Sequence, residues 1–154
     1  MNDEAKFVDW DESLETGIPY IDNQHRELVS LANQLYQACV TGDEKAESAF
    51  LESMHKMVDY VRFHFSAEQE LLKKIKYPKY KFHASEHDSL IKKILGASKI
   101  YHSDKKSIPN DFVDALKEWV FSHIAITDRA YAVFVAGQLK EGLISEKDLE
   151  DPNS

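Results

Sequence analysis

Apolar residues recur along this chain in alternating steps of three and four over four segments of roughly 20 to 30 residues, the repeat of helices with one buried face. The first inward seam is Ile21, His25, Leu28, Ala32, Leu35 and Cys39, and the second is Met54, Met57, Val61, His64, Glu68 and Leu71. The third is His83, His87, Leu90, Ile94, Ala97 and Tyr101, and the fourth is Phe112, Leu116, Trp119, His123, Ile126 and Ala130. Glycine and proline gather where the chain should reverse: VTGDE near Gly42, KYPKY at Pro78, HSDKKSIPND around Pro109, and the region from Gly137 to Gly142. The pattern predicts helices over 18–41, 43–75, 79–103 and 109–127, then a short helix over 129–140. Residues 1–17 read as an arm whose Trp10 packs on the rest, and 145–154 as an acidic tail with little to bury. Short connections make neighbouring helices antiparallel. The expected fold class is therefore all-α, an up-down-up-down antiparallel four-helix bundle with an N-terminal arm and a short C-terminal helix.

Composition narrows what such a bundle does. A chain of 154 residues, 43% hydrophobic, makes one domain with a real core and leaves no room for an attached sensor or kinase module on this polypeptide. A net charge of −8 repels nucleic acid and anionic membrane alike, so neither is expected as a partner. Cys39 is the one cysteine, which excludes an internal disulfide and fits a reducing compartment. The opening MNDEAKFVDWDE lacks the apolar core of a signal peptide, and the longest apolar stretch, AYAVFVAG, is too short to span a bilayer. A cytoplasmic location is the expectation.

Polar residues on all four apolar seams are the anomaly. His83 and His87 stand four apart, which on a helix is about 40° round and roughly 6 Å along, close enough to grip one ion. His25, His64, Glu68 and His123 fall on inward seams as well. Burying five imidazoles and a carboxylate without partners would cost on the order of several kcal/mol each. A cation shared between them removes that cost. Asp128 is different: it follows His123 by five, a turn of about 140° away from the seam. A regular helix leaves it in solvent, and it becomes a ligand only if the helix widens into a π turn or ends near Thr127. His55 and His102 each sit one position off a seam and are excluded. Glu52 with His55 forms a single Glu-x-x-His where the ferritin-like di-iron class needs two. Asp22 and Gln24 flank His25, where they would orient ligands or, for Asp22, cap the helix.

From about Val8 to Phe134 the sequence resembles the hemerythrins, in particular the single-domain bacterial ones. The matching stretches are GIPYIDNQHREL, HFSAEQELL, YPKYKFHASEH and WVFSHIAITDRAY, which together carry the family pattern of His, HxxxE, HxxxH and HxxxxD. The resemblance implies a metal set of His25, His64, Glu68, His83, His87, His123 and Asp128. It also implies two iron ions per chain with an oxo or hydroxo bridge, with His83, His87 and His123 on one iron and His25 and His64 on the other. Departures are small: Gln69 follows Glu68 where the family often has a second acid, and Leu72 and Val120 stand where Met and Leu would be expected.

By the same resemblance the function is reversible dioxygen binding, for storage, transport or scavenging, with azide-like anions as analogues and no catalysis. Leu28, Phe65, Trp119, Val120 and Ile124 would line the oxygen pocket, excluding water and offering no acid, while also packing the core. The alternatives are a di-iron enzyme reducing peroxide, nitric oxide or oxygen, and an oxygen sensor acting through a separate partner.

Overall fold

The computed structural model describes residues 10–41, 44–103 and 118–153, with side chains over 10–37, 51–96 and 118–153. Helices α1 (Pro19–Thr41), α2 (Glu44–Lys74) and α3 (Tyr80–Ser103) precede α4, described over residues 118–140. Short 3-10 turns, Glu12–Leu14 and Glu146–Leu149, flank the bundle. Among the described residues there is no strand, and no helix is long and apolar enough to cross a membrane.

Local chemistry fixes the helix ends. Pro19 opens α1 with its φ already helical. Asp22 in that first turn reaches back to accept hydrogen bonds from the Thr16 N–H at 2.8 Å, the Thr16 hydroxyl at 2.7 Å and the Gly17 N–H at 3.1 Å. Asp22 thus ties down the arm, and Gly17, at φ +83, permits the turn into the helix. At the end of α2 the N–H of Tyr77 donates to Leu72 O and that of Lys76 to Lys73 O, with Lys76 left-handed at φ 58. The end of α4 repeats this pair of bonds, from Leu143 to Gln138 and from Gly142 to Leu139, with glycine now in the left-handed place.

Among the described residues the core falls into two apolar clusters. One contains Leu28, Val61, Phe65, Leu90, Val120 and Ile124, and the other contains Ile21, Leu71, Leu72, Tyr131 and Val135. Along α1 the chain passes from the second cluster to the first. Along α2 it returns, along α3 it goes from Tyr80 back to Leu90, and along α4 it returns again. That alternation is the up-down-up-down order, and His25, His64, Glu68, His83, His87, His123 and Asp128 lie in the layer between the clusters.

Four expectations are corrected. The fourth helix does not end at Thr127; a π turn, His123–Asp128, carries it without a break into the helix expected over 129–140, Arg129–Lys140. The added residue resets the phase. Ile126, expected on the seam, is 70% exposed and Ala130 is exposed too, while Asp128, Tyr131 and Val135 turn inward. Gly137 consequently lies inside a helix and only Gly142 marks the reversal. The tail does bury something: Leu149, 5% exposed, fills the second cluster beside Ile18 and Ile21, held by a Ser145–Asp148 capping box and by Lys74 donating to Asp148 O at 3.1 Å. Trp10 is half-buried against the first cluster, with the Arg26 guanidinium 5.0 Å over its ring. The reversals at Gly42 and Pro109, the start of the fourth helix, and the side chains of Cys39, Ala97, Tyr101, His102, Phe112 and Leu116 lie outside the described residues.

Leu149→Ala should therefore cost about 2 kcal/mol, the low end for a buried leucine. Urea unfolding of the variant against wild type measures it, and an unchanged midpoint would show that the tail adds nothing.

Candidate metal centre

Each helix delivers its donors by its own spacing. α1 gives His25; α2 gives His64 and Glu68 one turn apart; α3 gives His83 and His87 one turn apart; α4 gives His123 and Asp128, five apart but brought to one face by the π turn. All seven side chains are buried. The imidazoles aim Nε2 at the centre, and the two carboxylates divide their oxygens. Glu68 Oε1 lies 2.5 Å from His83 Nε2 and 3.1 Å from His87 Nε2, while Oε2 lies 3.2 Å from His25 Nε2 and 3.3 Å from His64 Nε2. Asp128 Oδ1 lies 3.1 Å from His83 and 3.0 Å from His123, and its Oδ2 lies 3.0 Å from His25.

The donors thus form two groups that share both carboxylates: Glu68, His83, His87, His123 and Asp128, and His25, His64, Glu68 and Asp128. Within each group the donor atoms lie within 4.8 Å of one another. Ligands at right angles around one ion, with bonds of about 2.1 Å, stand about 3.0 Å apart, and opposed ones about 4.2 Å. The observed separations suit that geometry. Hydrogen bonding alone does not satisfy the group. Both Asp128 oxygens are buried without a hydrogen-bond partner, and His87 Nε2 faces His123 Nε2 at 3.1 Å. The residues present fit a metal ion in each group.

Electrostatics leads to the same demand for cations. Burial opposes charge on every imidazole, yet for His25, His83 and His123 the nearby carboxylates of Asp128 and Glu68 prevail, raising them to about 9, about 9 and about 10. His64 and His87 are held down by burial, His87 to about 4. Burial pushes both carboxyls up, but the surrounding imidazoles bring Glu68 and Asp128 below the usual carboxylate range. Positive charge at this level, on imidazoles or on bound cations, is what offsets the two buried carboxylates.

Outside the donors stand three polar groups. His64 Nδ1–H donates to Gln24 Oε1 at 2.8 Å, His87 Nδ1–H to Gln69 Oε1 at 2.9 Å, and the Tyr131 hydroxyl to Glu68 Oε2 at 3.0 Å. Burial, then Glu68 and Asp128, hold the Tyr131 proton well above the ordinary phenol range. Sequence reasoning missed Tyr131, reading AYAVFVAG only as an apolar run. The signal was its spacing of three after Asp128, which matters only once Asp128 is known to face inward. Asp22, a candidate to orient ligands, instead holds the arm. The five residues expected to line a pocket are all at the first apolar cluster: Phe65 stacks on His87 at 3.6 Å, Trp119 on His123 at 4.5 Å, and Leu28, Val120 and Ile124 are buried beside them. His55 is exposed, and its neighbour Glu52 pairs with Lys56 at 3.3 Å in solvent.

Residues 16–134 match the family model of the hemerythrin HHE cation binding domain. The bacteriohemerythrin of Clostridium acetobutylicum is 33% identical over 131 residues, covering 79% of this chain and 96% of that protein. The bacteriohemerythrin of Stenotrophomonas maltophilia is 30% identical over 132 residues, covering 86% of this chain and 84% of that protein. The crystal structure of wild-type hemerythrin shares the fold, with a TM-score of 0.74 and 24% identity over 82% of this chain and 95% of that one.

Two predictions follow from the donor set. His64→Ala or His123→Ala should lose metal and lower stability, because metal binding and folding are coupled. His55→Ala should keep its full metal content; metal analysis of the three variants decides, and loss from His55→Ala would refute the grouping. The second concerns pH. In metal-free protein the histidines raised to about 9, 9 and 10 stabilise the fold fully below their ordinary 6.5, and this contribution is lost as pH rises through 9 to 10. In metal-loaded protein bound ions replace those protons. The difference in Tm between loaded and chelator-stripped protein should therefore widen from pH 6.5 upward. Scanning calorimetry at several pH values tests it, and a constant gap would refute it.

Proposed function

The chain belongs to the hemerythrin family, and from that premise we propose that it binds dioxygen reversibly at a pair of iron ions. His83, His87 and His123 would hold one ion, His25 and His64 the other, and Glu68 and Asp128 both. The observation that carries this reading is the unequal division of the donors, three imidazoles against two, around carboxylates that offer one oxygen to each side. Two six-coordinate ions offer about twelve positions. Five imidazoles would fill five of them and two carboxylates four, so the chain's own donors would leave the two-histidine side the less filled, with room for a small ligand. Iron so held supplies, when bound, the electrons and the open position that dioxygen needs.

The chain's own residues favour binding over turnover. Leu28, Phe65, Val120 and Ile124 are buried at the first cluster and keep water away. The imidazoles of His87 and His123 are fixed in plane by Phe65 and Trp119, so the ligand geometry is held before any ligand arrives. Tyr131 brings a hydroxyl to the centre, and its proton is directed to Glu68 Oε2 at 3.0 Å. A proton already engaged by a carboxylate is not aimed at a bound ligand, which weighs against reduction of peroxide or oxygen as the main activity.

The test is an optical spectrum of the purified protein, reduced without air, then exposed to air, then flushed with argon, with iron counted per chain. A visible band that appears and disappears through repeated cycles, with two irons per chain, is expected. One metal per chain would overturn the paired site. Rapid consumption of peroxide or nitric oxide with no oxygenated band would replace the carrier reading with an enzyme.

A further inference from the structure

Five imidazoles turn Nε2 to the centre, and what separates them is the use made of the other ring nitrogen. His64 Nδ1–H donates to Gln24 Oε1 at 2.8 Å, and His87 Nδ1–H to Gln69 Oε1 at 2.9 Å. The Nδ1 atoms of His25 and His83 have no hydrogen-bond partner, and that of His123 lies 3.7 Å from Glu86 Oε2, beyond hydrogen-bonding distance. One imidazole in each donor group is therefore held by a carboxamide, and none by a carboxylate through Nδ1.

The two glutamines are placed alike. Gln24 precedes His25 on α1 and reaches across to α2, and Gln69 follows Glu68 on α2 and reaches across to α3. Each stands beside a donor of its own helix and holds a donor of the next. Gln24 is 8% exposed and Gln69 is half-buried, so neither bond competes freely with water.

An acceptor at Nδ1 fixes the tautomer that leaves the Nε2 lone pair for a metal. The kind of acceptor sets how strongly the ring then donates. A carboxylate draws the Nδ1 proton toward itself and makes the ring richer in electrons, which favours the more highly charged metal; a carboxamide does this weakly. A carboxylate would also add a third buried anion beside Glu68 and Asp128.

We propose that Gln24 and Gln69 are positioning residues that set the redox poise of the metal centre: they fix His64 and His87 as neutral Nε2 donors, one in each group, and as amides they hold the reduction potential above the value carboxylates at the same places would impose. The proposal rests on the di-iron reading of the site and is independent of dioxygen binding.

The experiment is a spectroelectrochemical titration of the iron-loaded full chain as wild type, Gln24→Glu, Gln69→Glu and Gln69→Leu. Each glutamate variant should keep two irons and shift the balance toward the oxidised form by about tenfold, which for a one-electron couple is about 59 mV. Gln69→Leu, which removes the acceptor, should shift the balance toward the reduced form. A merely structural role would not give opposite signs at one position. Zinc-loaded protein supplies a second readout: nitrogen-edited NMR should show slowly exchanging Nδ1–H signals for His64 and His87, with the His87 signal lost in Gln69→Leu. Unmoved potentials in the glutamate variants, shifts of one sign in Gln69→Glu and Gln69→Leu, loss of iron from the isosteric glutamates, or absence of those Nδ1–H signals would each overturn the proposal. A protein that holds two irons, shows these shifts and forms no oxygenated band would count against the dioxygen reading alone.

Discussion

Two carboxylates buried in the middle of an apolar bundle are the constraint on which the rest depends. Glu68 and Asp128 have no exposure, and each faces imidazoles through both oxygens. An uncompensated anion in such a place costs several kcal/mol after any relaxation, so every helix must bring positive charge or a metal donor to the same level. That need sets the register of all four helices at once. It also explains why the core is two apolar clusters separated by one polar layer, since a hydrophobic residue at any of the seven positions would leave an oxygen or a ring nitrogen unmatched.

The π turn is the backbone's share of this solution. A regular α4 could present His123 or Asp128 to the centre, but not both, because five residues overshoot the face by about 140°. Widening the helix over His123–Asp128 brings the second donor round and leaves every later residue one step out of phase with those before it. The consequence reaches beyond the site. Tyr131 arrives over Glu68, Val135 enters the second apolar cluster, and Ile126 is turned out into solvent.

How far the sequence could be read follows from the same point. A period of 3.6 carries information only while the helix is regular, so the described parts of the seams on α1, α2 and α3 were legible, and so was the fourth as far as His123. Beyond it the periodicity pointed to Ile126 and Ala130, which are exposed, and it hid Tyr131. For Asp128 spacing alone left two outcomes open, and the family resemblance favoured the inward one. Leu149 was illegible for another reason: a single leucine among acidic residues has no period, and its burial depends on where α4 ends. The partnership of Gln24 and Gln69 with His64 and His87 crosses between helices, which no one-dimensional pattern records.

The asymmetry of the layer bears on how such a centre could bind a small molecule without losing its shape. The three-histidine group is braced by rings: Phe65 lies 3.6 Å from His87 at an interplanar angle of 4°, and Trp119 lies 4.5 Å from His123 at 10°. His25 and His64 meet edge to face at 4.7 Å, and Tyr131 donates to the Glu68 oxygen on their side. Stacking thus braces two of the three imidazoles in the larger group, while each group has one imidazole held through Nδ1 by a carboxamide. The two halves differ in aromatic support, and the shared carboxylates couple them, since each of Glu68 and Asp128 turns one oxygen to either side.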